Sequence, residues 1–164
     1  MQQTTFGSLE HFQKGSIEII KGKAEHYAFS NIYEVASGAP PYQKTVVGKN
    51  LKFVIESLRA EGDSPWYAAA HDEFVVVMDG DVTVHYIKPD VAGSLAPADS
   101  EGTYTLDGAP QGKSMGYVKL GRGHQAILPA GVAYQFRAAK PGVLIVQTIL
   151  GPNSVEKWND ICLQ

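Results

Sequence analysis

Two short segments carry the side chains whose types and spacing could do chemistry. Ser64-Pro65-Trp66-Tyr67-Ala68-Ala69-Ala70-His71-Asp72-Glu73-Phe74 places an imidazole two residues from a carboxyl, and Gly123-His124-Gln125-Ala126-Ile127-Leu128-Pro129-Ala130-Gly131-Val132-Ala133-Tyr134 places a histidine and a phenol on either side of a Pro-x-Gly turn. Imidazole and carboxylate together ligate divalent metals, and they also form the hydrogen-bonded pairs that close a buried polar spot. In an extended chain Tyr67, Ala69, His71 and Glu73 share one face, so His71 is expected to point inward beside Glu73. With His124 or His85 nearby, such a pair could become a non-standard metal site. Glu73 is costly to bury unless paired or protonated, which makes His71, Tyr67 and Tyr134 its expected partners. His11 and His26 lie outside both segments and suit surface or capping roles. Trp66 reads equally as a core filler or an interface anchor. No P-loop, dinucleotide fingerprint or Gly-x-Ser-x-Gly elbow is found.

The elements that must position these residues read as β. Seventeen glycines and nine prolines punctuate short runs rich in Val, Ile, Tyr and Phe. The strongest signal is Glu73 to Met78, then Asp79-Gly80, then Asp81 to Tyr86, which matches two strands joined by a tight hairpin. Strands are expected at Ile17 to Ile20, Tyr27 to Val35, Leu51 to Leu58, Gly116 to Leu120, Gln125 to Leu128, Tyr134 to Ala138 and Val143 to Leu150. In the Leu51 to Leu58 run, Leu51, Phe53 and Ile55 share one face. Pro89 to Gly112 reads as one long loop, and Ser154 as the cap of a short helix from Val155 to Leu163. Phe6, Leu9 and Phe12 make the N-terminal stretch amphipathic but too short to stand unsupported. It should dock on its own barrel or on a partner.

Composition sets the outer limits. With 164 residues, 44% of them hydrophobic and 19% charged, the chain suits one globular domain and is too apolar for disorder. The net charge of -3 is not gathered into a basic block, so nucleic acid is a poor partner. The single cysteine, Cys162, allows neither an internal disulfide nor a thiolate cluster. No secretory signal or bilayer-spanning run is visible, which makes a cytoplasmic location the expectation.

The two segments together resemble the signature motifs of the cupin family, a double-stranded β-helix or jelly-roll barrel. Six residues separate Glu73 from Gly80, five separate Gly123 from Pro129, and Pro129-Ala130-Gly131 supplies the turn. The resemblance implies an all-β fold with an N-terminal arm and outer strands over residues 1–44, a barrel over 45–150 and a short C-terminal helix over 151–164. It also places the family's metal positions at Tyr67, Ala69, Glu73 and Tyr134, of which only Glu73 keeps a family ligand. The chain therefore reads as a cupin barrel that does not hold the family's metal, with Tyr67, His71, Glu73 and Tyr134 as candidate cavity-lining residues.

A closer resemblance, to the small subunit of the two-subunit iron(II)-dependent hydroquinone 1,2-dioxygenases, rests on Thr5-Phe6-Gly7-Ser8-Leu9-Glu10-His11-Phe12-Gln13-Lys14-Gly15, on the Ser64 to Phe74 segment and on Gln147-Thr148-Ile149-Leu150-Gly151. It implies a larger cupin-type partner that binds Fe(II) and cleaves hydroquinone with oxygen to 4-hydroxymuconic semialdehyde. It further implies a heterotetramer of two small and two large subunits, with no catalytic residue in this chain. Two other readings stand beside it. One is a metal-free cupin that binds or senses a small aromatic ligand between Tyr67, His71, Glu73 and Tyr134. The other is a self-sufficient metalloenzyme built on His71 and Glu73.

Overall fold

The structure, a computed structural model, describes residues 7–13, 21–22 and 31–158. After helix α1 (Ile32–Gly38) the described residues form ten strands: β1 (Lys44–Asn50), β2 (Phe53–Asp63), β3 (Trp66–Ala69), β4 (Glu73–Asp79), β5 (Val82–Pro89), β6 (Thr103–Leu106), β7 (Gly112–Leu120), β8 (Gln125–Leu128), β9 (Ala133–Ile149) and β10 (Ser154–Val155). They join into one sheet that curls into a nearly closed barrel. This is the all-β jelly roll that the cupin resemblance implies.

The seventeen-residue β9 is the spine. Along one edge it pairs with β2 and then, through Tyr134 opposite Tyr67, with β3. Along the other edge residues 143–147 pair with β4 and residues 133–137 with β5. The strands expected on either side of Asp79-Gly80 therefore exist but do not pair with each other. They follow β9 end to end, and the turn carries the chain around its bend at 139–142. Two glycines permit this corner. Gly80 has φ +77, and a Cβ on Gly142 would lie 2.5 Å from the Asp79 carbonyl oxygen. The two runs expected at Tyr134 to Ala138 and Val143 to Leu150 are one continuous bent strand.

Alternation fills the barrel. Val75 and Val77 of β4, Leu58 of β2, Val82 and Val84 of β5 and Tyr134, Phe136, Leu144 and Val146 of β9 form the buried core. The face shared by Leu51, Phe53 and Ile55 is the outer one, while Val54, Glu56 and Leu58 point inward.

Other expectations are corrected. Residues 32–35 are helical, because Asn31 caps α1 by accepting the Tyr33 N–H, and Ser57 Oγ on β2 donates to the Ile32 carbonyl and ties the helix down. The long loop contains β6, whose Thr-Tyr-Thr run pairs with β3. Ser154 and Val155 do not open the expected helix but pair in parallel with Lys44 and Thr45 of β1; Trp158 is helical, and residues 159–163 lie outside the described residues. The strand expected at Ile17 to Ile20, Phe6 of the arm and Ile161 and Cys162 of the tail lie outside the described residues. Leu9 of the arm donates its N–H to Asp79 Oδ2 at 2.9 Å, so this stretch reaches its own barrel at the β4–β5 corner.

Candidate functional site

Glu73 opens β4 facing inward and is fully buried. Its carboxyl is closed off by three hydroxyls from two other strands. Thr103 Oγ1 of β6 and Thr148 Oγ1 of β9 donate to Oε1 at 2.5 and 2.7 Å, and Tyr134 Oη of β9 donates to Oε2 at 2.6 Å. Burial in the first place, and then the neighbouring Glu73, hold the Tyr134 phenol well above its ordinary range, so it stays protonated and able to donate. The Tyr67 ring packs 5.7 Å from the Tyr134 ring, and burial raises that phenol as well.

The other residues singled out by the motifs hold loops. The alternation that would turn His71 toward Glu73 stops at the end of β3, because Ala70 to Asp72 form a bend before β4 begins. His71 is half-buried, and its Nε2 accepts the Gly102 N–H at 3.2 Å. It thereby fixes the residue before Thr103. Gly102 must be glycine, since its φ is +78 and a Cβ would fall 2.4 Å from Gly151 Cα. The Ala69 carbonyl accepts from Gly131 N–H and Asp72 Oδ1 from Ala130 N–H, so the first motif pins the Pro-x-Gly turn of the second. His124 Nδ1 accepts from Gly121 N–H, and His85 lies against the Tyr117 ring on β7. Neither is brought to Glu73. Trp66 is half-buried at the start of β3.

Motif reading missed a second polar group in the interior. Glu56 and Lys44 are both buried, with Glu56 Oε2 3.5 Å from Lys44 Nζ. Ser154 Oγ donates to Glu56 Oε1 at 2.6 Å, and Lys44 Nζ stands 4.9 Å over the Tyr67 ring. Burial pushes the Glu56 carboxyl up, and Lys44 and Ser154 only partly oppose it. Parity was the available signal, since Glu56 lies two residues from both Val54 and Leu58. Thr148 is likewise in step with Leu144 and Val146, whereas nothing in the sequence marks Thr103.

Iron(II) in a cupin needs several imidazole or carboxylate donors converging on one point. Here the positions that the cupin resemblance assigns to the family's histidines, Tyr67, Ala69 and Tyr134, present two neutral phenols and a methyl group, and both oxygens of the Glu73 carboxyl already accept hydrogen bonds. These residues do not fit the metal. Among the described residues, no three His, Cys, Asp or Glu side chains are grouped to hold a metal ion. A cavity of about 550 Å³ lies outside the barrel between Leu9, Arg59, Asp79, Arg122 and Lys140, away from the four candidate residues.

No family profile matches the sequence. No curated protein matches it either. Among solved structures, a chain of hydroquinone 1,2-dioxygenase PnpCD, in complex with Cd2+ and 4-hydroxybenzonitrile, is 57% identical over 100% of this chain and 98% of its own, with a TM-score of 0.90. The chain belongs to the hydroquinone 1,2-dioxygenase family. A chain of hydroquinone 1,2-dioxygenase from Sphingomonas sp. TTNP3, with 4-hydroxybenzoate bound, is 46% identical over 99% of this chain and 98% of its own, with a TM-score of 0.92. In the PnpCD complex with Fe3+, another chain shares only the fold, at 13% identity and a TM-score of 0.60. There 88% of this chain matches 40% of that one, so the second hydroquinone 1,2-dioxygenase chain is about twice as long. Among the described residues of this family member, no helix is long and apolar enough to cross a membrane.

Proposed function

We propose that this chain is the small, iron-free subunit of a cytoplasmic hydroquinone 1,2-dioxygenase. Its longer partner holds iron(II) and cleaves the ring of hydroquinone, placing both atoms of O2 in 4-hydroxymuconic semialdehyde. Two small and two large subunits make the working assembly. The observation that carries the reading is the state of Glu73, the one cupin ligand kept, whose carboxyl is fully engaged by Thr103, Thr148 and Tyr134. A carboxyl so held cross-links three strands, and the barrel becomes a scaffold. Binding of a small aromatic between Tyr67, His71, Glu73 and Tyr134 is the weaker reading. The two tyrosine rings pack on each other, and the Tyr134 hydroxyl is already engaged.

The test is metal content. The chain purified alone, loaded anaerobically with iron(II) and desalted, is expected to retain almost no iron and to show no ring cleavage. Co-expressed with the longer subunit, the complex is expected to hold iron in step with that subunit. Stoichiometric iron on the lone chain, lost on His71→Ala or Glu73→Ala, would overturn the proposal.

A further inference from the structure

The outer face of the barrel's main sheet is apolar where water should be. Strand register places Ile55 of β2 beside Gln147 of β9, Gln147 beside Phe74 of β4, and Phe74 beside Ile127 of β8. One row across four strands thus carries three large apolar side chains and no charge. Phe53 stands on the same face of β2, two residues before Ile55. Exposure is 42% for Ile55, 47% for Phe74, 47% for Ile127 and 49% for Phe53. On β2 the inward set Val54, Glu56 and Leu58 is buried, and at the start of the strand Phe53 and Ile55 on the outward face are apolar as well.

A second observation lies at the tip of the same strand pair. Leu51, in the two-residue turn between β1 and β2, has φ +57 and is 85% exposed. Turns of this kind take Gly, Asn or Asp, because a branched side chain is strained at positive φ. A leucine there adds strain and contributes nothing to the core, so its use lies outside this chain. The charges nearest the tip do not mark it for water: Lys49 pairs with Glu156 and Lys52 with Glu101.

We infer that this face, with Leu51 at its tip and Phe53, Ile55, Phe74 and Ile127 across it, is the docking surface for the longer, iron-bearing subunit. The inference rests on the subunit assignment proposed above and goes beyond it by naming the surface. Area supports the occupant. The five side chains leave on the order of 450 Å² of largely apolar surface in water. One side of a stable interface buries about 800 Å², of which roughly 56–65% is apolar, so about 450–520 Å². The face therefore offers about as much apolar area as one side of such an interface buries, and strand register joins Ile55, Phe74 and Ile127 in one row. The solved relatives belong to an enzyme with a second, longer kind of chain, which commits the surface to that chain rather than to a second copy of this one.

The test co-expresses the full chain with its own longer subunit and measures association by titration and by native mass, with the thermal midpoint of each lone variant as the folding control. Phe74→Glu and Leu51→Gly are expected to weaken association at least tenfold. Leu51→Gly should leave the lone chain as stable as before or more so, since glycine relieves the strained turn. Tyr117→Glu, on the exposed β7, is the control and should bind as the parent does. Parent-like binding by Phe74→Glu and Leu51→Gly would overturn the surface while leaving the subunit assignment intact. If Phe74→Glu only turns a homodimer into a monomer and still binds the longer subunit, the surface belongs to self-association and the inference is also overturned. If the parent chain itself does not bind the longer subunit, the subunit assignment fails first.

Discussion

Glu73, which the cupin resemblance assigns to a ligand position, is held in this structure by hydroxyls. Its carboxyl sits in the barrel where a metal's charge would offset it in a metal-binding cupin, and here Thr103, Thr148 and Tyr134 supply three donors instead. Removing the acceptor strands three buried hydroxyls. Glu73→Ala is therefore expected to cost about 3–5 kcal/mol and to lower the thermal midpoint by roughly 10 °C, read by calorimetry, with no change in the metal content of the complex. Glu56 makes a different prediction, because burial raises its pKa above 4.5 despite Lys44. As pH rises through the ordinary carboxyl range, the unfolded chain releases a proton that the folded chain keeps, so folding stability falls from there up to the raised pKa. In urea titrations at stepped pH this fall should be present in the parent and absent in Glu56→Gln.

At the scale of elements, the site depends on how β9 bends. One strand supplies Tyr134 before the bend and Thr148 after it, and the corner of Gly80 and Gly142 lets β4 bring Glu73 between them. A side chain at Gly142 meets the rigid Asp79 backbone, so Gly142→Ala is expected to cost about 1–3 kcal/mol and roughly 3–10 °C in the thermal midpoint. Near-parental melting would show that the corner can relax. Strand composition was legible in β4 and β5, where β-branched runs flank Asp79-Gly80, and in β7 and β8 through short apolar stretches between turn residues. Pairing was not legible, because Asp-Gly between two strands signals a sharp reversal without saying whether the strands meet each other or a third. Thr103 to Leu106 was lost in the loop for a related reason. Four residues have too little alternation to stand out, and only β3 beside them makes a strand.

The whole molecule is a barrel whose apolar core encloses two buried polar groups, and one outer sheet face carries exposed apolar side chains. Glu73, Tyr134, Glu56, Lys44 and Tyr67 are buried, whereas Phe53, Ile55, Phe74 and Ile127 are half-exposed. A chain of this kind kept without its partner should self-associate as concentration rises, because its outer sheet offers apolar surface to any similar face. Light scattering of the lone chain is expected to show mass increasing with concentration, and the complex a fixed mass. A concentration-independent monomer would argue against a permanent partner on that sheet.

The fold family was legible in the sequence as a resemblance, carried by the Glu73 to Gly80 and Gly123 to Pro129-x-Gly131 spacing that the cupin motifs share. The wording of three segments determined the enzyme family. The same resemblance assigned Tyr67, Ala69 and Tyr134 to the family's metal positions, by matching residues to the motifs one by one. Tertiary structure decided the rest. It sent His71 to Gly102, brought Thr103 from a distant loop to Glu73, paired Lys44 with Glu56, and turned Phe53 and Ile55 outward. Each of these depends on which strands become neighbours and which face of a strand meets the core. Both are set by how the whole chain closes on itself, so neither is written in a local run of residues.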